Sequence, residues 1–439
     1  MTADIGFLRE LVTAPGPSGF EQPVQEVVRR RFAAVATPET DVLGNVTATV
    51  NPGSAPRVVM AAHADQIGLQ VTWVDEQGFV YFDRLGSVEP LLLPGRAVVI
   101  QGRQGAVDGV VGKRPTHLIP EAERGKAAEV CDQWIDIGAP DRAAALARVG
   151  CGDPITFSPH FVELAGGIVA GRALDDRGGL YVVVRALELY AGAPGAAALT
   201  ALSTVQEETR YMGAQVQARR LEPDCMIVVD ADFATDQPEV EPRRAGGTLV
   251  LGGGPSLGRG GATNPRLLAL FEEVAAAEAI TVQIKAYPGD TQTDNEHLQT
   301  AGAGTAAINL GLPVRYMHSP HEVAHLDDLE ASARLVAAFA RRLGEVALVD
   351  SSSRVGRLGI VFKETLLDEN AACHIAWGAA IHDSFPDGLP DDPAALEARG
   401  VNESDVHQDI MIGGPEVAVS GVTDSGDEVA VLVGERWQI

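Results

Sequence analysis

Cysteine and positive charge are both scarce in this 439-residue sequence. The four cysteines, Cys131, Cys151, Cys225 and Cys373, lie far apart and form no CxxC pair. This spacing argues against a thiolate metal site and favours reduced thiols over disulfides. Lysine and arginine total 34 against 60 aspartates and glutamates, which gives a formal net charge of −26. Because such an excess of negative charge repels phosphate groups, we expect neither a nucleic-acid partner nor an anionic membrane surface.

Long apolar runs are also missing. No window of the sequence approaches the roughly 18 consecutive apolar residues of a membrane-spanning helix. The N-terminus carries Asp4 and Glu10 where a signal peptide needs a basic and then an apolar stretch. We therefore predict a cytoplasmic protein with no membrane partner. The composition is otherwise that of a globular protein, with 46% apolar residues, and the length predicts two to four domains.

The order of apolar and polar residues is typical of an α/β protein. Residues 22–35 have helical periodicity, and residues 57–62 form an apolar run of strand length. Between residues 68 and 157, short alternating segments separated by glycine and proline predict a β-rich module with few helices. Further along, helices are predicted at 175–190, 264–279 and 326–343, and strands at 197–205, 225–229 and 313–316. This alternation favours a mostly parallel sheet that is covered on both faces.

Five potential metal ligands lie at equivalent places in this pattern. Four of them follow predicted strands: His63, Glu208, Asp230 and His318. The fifth, Asp175, begins a predicted helix. Because ligands bind outside the carboxyl ends of the strands in an open α/β sheet, we expect the five side chains to converge. Two histidines and three carboxylates suit two divalent ions such as zinc or cobalt, with one carboxylate bridging the ions. Such a pair polarises a carbonyl group and activates a bridging water.

The doublet Glu207 and Glu208 indicates a division of roles. Adjacent residues at the end of a strand point in different directions, so one glutamate can bind metal while the other acts as a general base. Two glutamates at one site oppose each other's ionisation unless cations neutralise them. Asp65, two residues after His63, is placed to orient the imidazole of that histidine.

Five ordered motifs resemble those of the TET-type metallo-aminopeptidases, a family of glutamyl and deblocking aminopeptidases also described as cellulase-M-like. The motifs are HADQIG at 63–68, GRALDDRGG at 171–179, TVQEE at 204–208, VVDADFATD at 228–236 and RYMHSPHE at 315–322. The resemblance covers residues 1 to about 342. It implies an αβα phosphorylase/hydrolase-like peptidase domain at 1–66 and 160–343, interrupted by a β-rich, PDZ-like dimerisation domain at 67–159.

The resemblance also implies a reaction, a cofactor and partners. It implies removal of N-terminal residues from peptides, two divalent metal ions per subunit, and self-association as a dimer or a larger particle, often a dodecamer. His63 and Asp230 would hold one ion, and Glu208 and His318 would hold the other. Asp175 would bridge the two ions.

The remaining site residues follow the family pattern with one departure. Glu207 would be the general base, and Asp65 would support the first histidine ligand. Asp176 is not a ligand in this pattern, and we interpret it as a charge in the first turn of a helix. The family has a small, glycine-containing turn after its glutamate doublet, whereas residues 209–212 read TRYM here. Arg210 would narrow the pocket, recognise an acidic side chain of the substrate, or lie solvated on the surface.

The tail carries a second resemblance. Short apolar runs separated by DG and GG turns predict a small β-rich module at 344–439. Three motifs resemble the final quarter of aminopeptidases of the aminopeptidase T type: LGEVALVD at 343–350, TLLDENAACHIAWG at 365–378 and VHQDIMIGGPE at 406–416. Four of that family's five metal ligands have counterparts, namely Glu345, His374, His407 and Asp409. The fifth has none and Ile381 replaces the catalytic tyrosine, so we expect a catalytically silent tail.

Three functions stay open on the sequence alone. The complete ligand set favours a dinuclear aminopeptidase. A deacylase or carboxypeptidase-like amidase would use the same chemistry and needs a basic residue such as Arg210 to bind a carboxylate. A non-catalytic assembly scaffold is opposed by the intact Glu207.

Residues 251–261 are glycine-rich but lack the Lys-Ser/Thr of a phosphate-binding loop, so we exclude nucleotide binding. Five histidines without spaced partners are interpreted as ordinary surface or core residues: His160, His297, His321, His325 and His382.

Overall fold

The computed structural model describes residues 3–119, 121, 129–302 and 304–346, together with the backbone of two strands at 417–422 and 428–433. By their internal contacts the residues form two units, Met1–Leu348 and Val349–Ile439. Helices and strands are numbered below in chain order. In the described ranges, no helix is both long and apolar enough to cross a membrane.

A mixed eight-stranded sheet is the centre of the first unit. Its strands, from one edge to the other, are β1 (Glu39–Thr40), β2 (Val46–Val50), β12 (Ala198–Thr204), β3 (Arg57–His63), β13 (Cys225–Phe233), β16 (Ala306–Val314), β14 (Ser256–Gly260) and β15 (Gln283–Tyr287). The four central strands, β12, β3, β13 and β16, run parallel. Their carboxyl ends therefore meet at one edge of the sheet, as the sequence predicts.

Helices pack on both faces of this sheet. They are α1 (Ile5–Thr13), α2 (Gln22–Phe32), α4 (Leu174–Gly192), α5 (Glu207–Arg210), α6 (Met212–Arg220), α7 (Pro265–Ala277), α8 (Asn295–Leu298) and α9 (Leu326–Val346). Ala61 of β3 and Val228 of β13 share an apolar cluster with Ala214 of α6 and Leu298 of α8. Side chains alternate along a strand, so His63 and Asp230 emerge on this same face, at the carboxyl end of their strands.

The β-rich module that follows β3 is a closed barrel. Its strands are β4 (Gly68–Val74), β5 (Val80–Leu85), β6 (Ala97–Gly102), β7 (Gly105–Lys113), β8 (Gln133–Asp136) and β9 (Pro154–Phe157), in the order β4-β5-β8-β7-β6-β9, and a short helix, α3 (Arg142–Leu146), precedes the last strand. Alternate side chains such as Leu69, Val80, Val98 and Ile135 fill its core. Because the barrel has its own apolar core, it is a structural module distinct from the eight-stranded sheet.

The first unit also contains a small antiparallel sheet. It consists of β10 (Phe161–Glu163), β11 (Ile168–Gly171) and β17 (Glu322–His325). In the second unit the described strands β18 (Val417–Val422) and β19 (Glu428–Val433) form an antiparallel hairpin. Of the four tail residues named above, His374, His407 and Asp409 lie outside the described residues, and Glu345 belongs to α9.

The strand predicted at 313–316 is wrong in its position, because β16 begins at Ala306 and ends at Val314. Gly311 and Pro313 interrupt the apolar run, and both residue types weaken a strand prediction. Proline is tolerated here because β14 pairs only with Leu310 and Gly311. The residues after Val314 instead form the loop that carries His318.

Candidate metal centre

The five predicted ligands come from five different elements. His63 is the last residue of β3, and Asp230 lies in the neighbouring strand β13. Glu208 belongs to the short helix α5 after β12, Asp175 to the first turn of α4, and His318 to the loop after β16. The expectation that Asp230 follows its strand is wrong, because β13 continues to Phe233. The structure nevertheless brings all five side chains together.

Asp175 lies between the two histidines. Its Oδ1 is 3.2 Å from Nε2 of His63, and its Oδ2 is 3.2 Å from Nε2 of His318. His63 Nε2 is also 3.8 Å from Oδ1 of Asp230, while His318 Nε2 is 3.7 Å from Oε2 of Glu208. Burial alone would raise the pKa of Asp175, but its contacts with His318 and His63 lower it below the usual range. One carboxylate therefore has an oxygen facing each of two neighbouring groups of ligand atoms.

Asp176 is closer to this centre than its interpretation as a helix charge implied. It does accept a hydrogen bond from the backbone N–H of Gly179 (2.9 Å), as expected in a first turn. However, it is fully buried, and it accepts a second bond from the N–H of His63 (3.3 Å). One of its oxygens also belongs to a cluster of possible ligand atoms with His63 and Asp230. Burial raises its pKa well above the ordinary value.

Glu207 lies beside the histidine that ends β3. Its Oε2 is 3.8 Å from Nε2 of His63, and the residue is 7% exposed. Burial raises the pKa of Glu207 well above its usual range. Burial of His63 favours a lower pKa, but the carboxylate of Glu207 and the contacts with Asp175 and Asp65 raise it instead. The glutamate and the histidine thus compete for a proton in a buried, strongly acidic surrounding.

Asp65 does more than face the predicted histidine. Its Oδ1 lies 3.5 Å from Nδ1 of His63, on the side of the ring opposite Asp175. Its two oxygens also accept hydrogen bonds from the backbone N–H groups of Glu207 and Glu208, each at 3.0 Å. One buried carboxylate therefore fixes both the ring of His63 and the main chain of the glutamate doublet.

Two buried carboxylates of the centre were missed by the sequence reasoning. Glu322, 1% exposed, accepts hydrogen bonds from the backbone N–H groups of Asp175 and His318, each at 2.9 Å. Asp294 accepts one from the hydroxyl of Thr204, and burial raises its pKa to about 7. The position of Glu322 four residues after His318 is a sequence signal that could have indicated it.

The donor set fits divalent metal ions. Oε1 of Glu208 is buried and has no hydrogen-bond partner among the described residues. Burial raises the pKa of both Glu208 and Asp230 well above the ordinary range, so bringing these carboxylates together without a cation is unfavourable. A set of two histidines and three carboxylates, with nitrogen and oxygen donors, suits borderline ions such as zinc and cobalt. The residues present therefore fit the binding of divalent metal.

Arg210 and Tyr211 lie in the turn after the glutamate doublet, where the sequence departs from the family pattern, and they differ in exposure. Arg210 is exposed at the end of α5. Tyr211 is half-buried and its ring lies 4.8 Å from that of His297. Burial, and then the nearby Glu207, raises the pKa of Tyr211 to about 12. Tyrosine, rather than arginine, is thus the side chain of this turn that faces the acidic centre.

Comparisons with known proteins agree with this architecture. Residues 44–335 match the profile of the M42 glutamyl aminopeptidase family. The lysyl aminopeptidase of Pyrococcus furiosus is 32% identical over 350 residues, which cover 77% of this chain and 97% of the relative. The solved structure of the TET1 peptidase of Pyrococcus horikoshii, which can assemble into a tetrahedron or a large octahedral shell, is 30% identical, has a TM-score of 0.67, and covers 76% of this chain and 98% of that one.

The C-terminal region matches a different family. Residues 337–437 match the profile of the M29 thermophilic metalloproteases. The aminopeptidase T of Thermus aquaticus is 47% identical over 102 residues, which cover 23% of this chain and 24% of the relative. The chain thus spans about a quarter of that relative, and nearly all of the M42 relative. It belongs to the M42 glutamyl aminopeptidase family and is a metal-dependent aminopeptidase that carries an M29-related segment at its C-terminal end.

Proposed function

We propose that this chain is a dinuclear metal-dependent aminopeptidase in which Glu207 acts as the general base. The observation that carries this proposal is the position of Asp175, with one carboxylate oxygen 3.2 Å from each of two histidines on separate elements. In the proposed arrangement His63 and Asp230 would hold one ion, Glu208 and His318 would hold the other, and Asp175 would hold both. Zinc and cobalt are the ions that best suit this donor set.

Two such ions would supply a Lewis acid for the scissile carbonyl and a water of lowered pKa. The residues of the chain provide the remaining steps. Glu207 takes a proton from the attacking water at Oε2 and later delivers it to the leaving amine. The position of Glu207 supports this role, because its Oε2 lies 3.8 Å from Nε2 of His63, a proposed metal ligand, and the side chain is buried beside the centre. Asp65 holds both glutamates through their backbone N–H groups, which keeps Glu207 in position.

The assembly and the domain boundaries are also proposals. We propose that the barrel lies in a PDZ-like domain at 67–159 that mediates self-association, by analogy with the assembling TET1 peptidase. The peptidase domain would comprise 1–66 and 160–343, and the protein would act in the cytoplasm. The amidase alternative receives no support from Arg210, which is exposed.

The proposed activity is tested with a panel of aminoacyl p-nitroanilides. The purified chain should hydrolyse at least one of them, lose that activity in a chelator, and regain it when zinc or cobalt is added. An N-acetylated version of the best substrate, which lacks a free amine, serves as the control and should not be hydrolysed. Cleavage of the acetylated substrate instead of the free one would overturn the assignment as an aminopeptidase.

A further inference from the structure

A cleft is lined in part by His318, a proposed metal ligand. It has a volume of about 550 Å³. Part of its lining comes from residues 316–321, the loop that carries His318. The rest comes from the barrel, between β5 and β6, and consists of Ser87, Glu89, Leu92 and Arg96. The barrel therefore borders the metal centre directly.

The approach of the barrel to the centre is close. Gly86, at the start of the same segment, has a φ of +82°, which favours glycine. A Cβ atom at this position would lie 3.0 Å from Cγ2 of Ile67 and 3.2 Å from Oε2 of Glu208, a proposed metal ligand. The segment that begins at Gly86 is thus packed against the centre, and its side chains line the same cleft as His318.

Arg96 is the half-buried cation of this cleft. Its Nε donates a hydrogen bond to the carbonyl oxygen of Leu92 (3.0 Å), which fixes the guanidinium group. It forms no ion pair with any residue that the structure describes, although the chain carries 60 acidic residues. The acidic residue of the cleft, Glu89, is exposed, and its Oε1 already accepts the N–H of Leu91 (3.2 Å). No ion pair joins Glu89 to Arg96 among the described residues, so this carboxylate does not neutralise the guanidinium group.

Of the loop residues that line the cleft, His321 does not compete with Arg96 for an anion as a second cation. The rings of His160 and His321 meet edge to face at 4.9 Å. Burial, followed by His160 and Arg96, lowers the pKa of His321. A neutral imidazole at this place can donate a hydrogen bond to a ligand without repelling Arg96. These two histidines had been interpreted from the sequence as residues without partners.

We propose that Arg96 binds a carboxylate of the substrate and so determines which peptides the enzyme prefers. This inference rests on the proposed aminopeptidase function. A guanidinium group pairs with a carboxylate in a two-pronged geometry that a neutral side chain does not reproduce. The carboxylate has two sources in a peptide, the side chain of an acidic first residue and the C-terminus of a short peptide.

The experiment uses two substrate pairs that differ only in a carboxylate. The first pair is Glu-p-nitroanilide and Gln-p-nitroanilide, and the second is Leu-Gly and Leu-Gly-amide. For the full-length, metal-loaded chain, kcat/KM is measured for all four substrates with the wild type, Arg96→Gln and Arg96→Lys. The control is Arg103→Gln, an exposed arginine in the turn between β6 and β7.

Arg96→Gln should reduce kcat/KM for one acidic substrate by about 10- to 100-fold, the usual effect of losing a hydrogen bond to a charged group. For the neutral substrate of the same pair, kcat/KM should change by less than about threefold. Arg96→Lys should retain part of the preference, and Arg103→Gln should behave as the wild type. Loss confined to Glu-p-nitroanilide identifies the side chain as the source, and loss confined to Leu-Gly identifies the C-terminus.

The inference is overturned if Arg96→Gln leaves both ratios of acidic to neutral substrate unchanged, or if it lowers all four values equally. These results differ from a failure of the proposed function. In that case the wild type itself, with zinc or cobalt restored, would hydrolyse none of the four substrates.

Discussion

Glu322→Gln should weaken metal binding without removing any proposed ligand. The carboxylate of Glu322 accepts two hydrogen bonds of 2.9 Å, from the backbone N–H groups of Asp175 and His318. Glutamine keeps one acceptor oxygen, but its NH₂ group then faces the other N–H, so one of the two ligand segments loses its partner. Losing a hydrogen bond to a charged group costs about 1.5–3 kcal/mol. If about 2–3 kcal/mol of this cost appears in the free energy of zinc binding, the affinity for zinc falls by about 30- to 150-fold.

The assay is a competition between the protein and a chromogenic chelator for zinc. The same substitution at Glu163, which lies in β10 of the same small sheet and pairs only with the exposed Arg9 among the described residues, is the matched control. The control should bind zinc as the wild type does. We also expect kcat of Glu322→Gln to fall at saturating zinc, because the ligands are held less well. An unchanged zinc affinity in a folded Glu322→Gln variant would refute the reasoning, as would a lower melting temperature as its only effect.

Three further predictions concern separate parts of the chain. Glu207→Gln should lower kcat by roughly 10²- to 10⁴-fold while the metal content measured by mass spectrometry stays that of the wild type; retained activity would remove Glu207 from its proposed role. Asp236 is half-buried and paired with Arg315 at 2.6 and 2.8 Å; burial opposes ionisation, but this pairing lowers its pKa. The ion pair therefore stabilises the fold above the ordinary aspartate pKa of about 4, and this stabilisation is lost as the pH falls. Asp236→Asn should lower the free energy of unfolding, measured with denaturant, by about 1 kcal/mol at pH 7 and by less at pH 3. His407→Ala should leave peptidase activity within a few-fold of the wild type, and loss of hydrolysis with the metal centre still loaded would show that the tail takes part in catalysis.

The sequence indicated the centre where a polar residue directly follows an apolar strand. His63 follows the apolar run at 57–62, and the glutamate doublet follows the run at 197–205, so the sequence alone predicts both at the edge of the sheet. Asp230 was also found, although its strand continues past it to Phe233. These residues are recognisable because an ionisable group interrupts a pattern that is otherwise apolar.

The residues that act through the backbone could not be found in this way. Glu322 holds N–H groups at positions 175 and 318, and this relation depends on how the small sheet packs beside α4. The contact between His160 and His321 joins residues that are more than 150 positions apart. Spacing along the chain carries no signal for residues so far apart, such as Glu322 and Asp175, because tertiary packing alone brings them together. The cleft beside the barrel was missed for the same reason.

The central claim is that Asp175 bridges two metal ions, and the most direct test is the number of ions bound by Asp175→Asn. The variant and the wild type are loaded with zinc, freed of excess metal by gel filtration, and measured by elemental analysis, with circular dichroism to confirm folding. An asparagine keeps the size of the side chain but has one oxygen that can ligate a metal instead of two. We expect two ions per chain for the wild type and fewer than two for the variant. Two ions bound by Asp175→Asn with unchanged affinity would contradict the account.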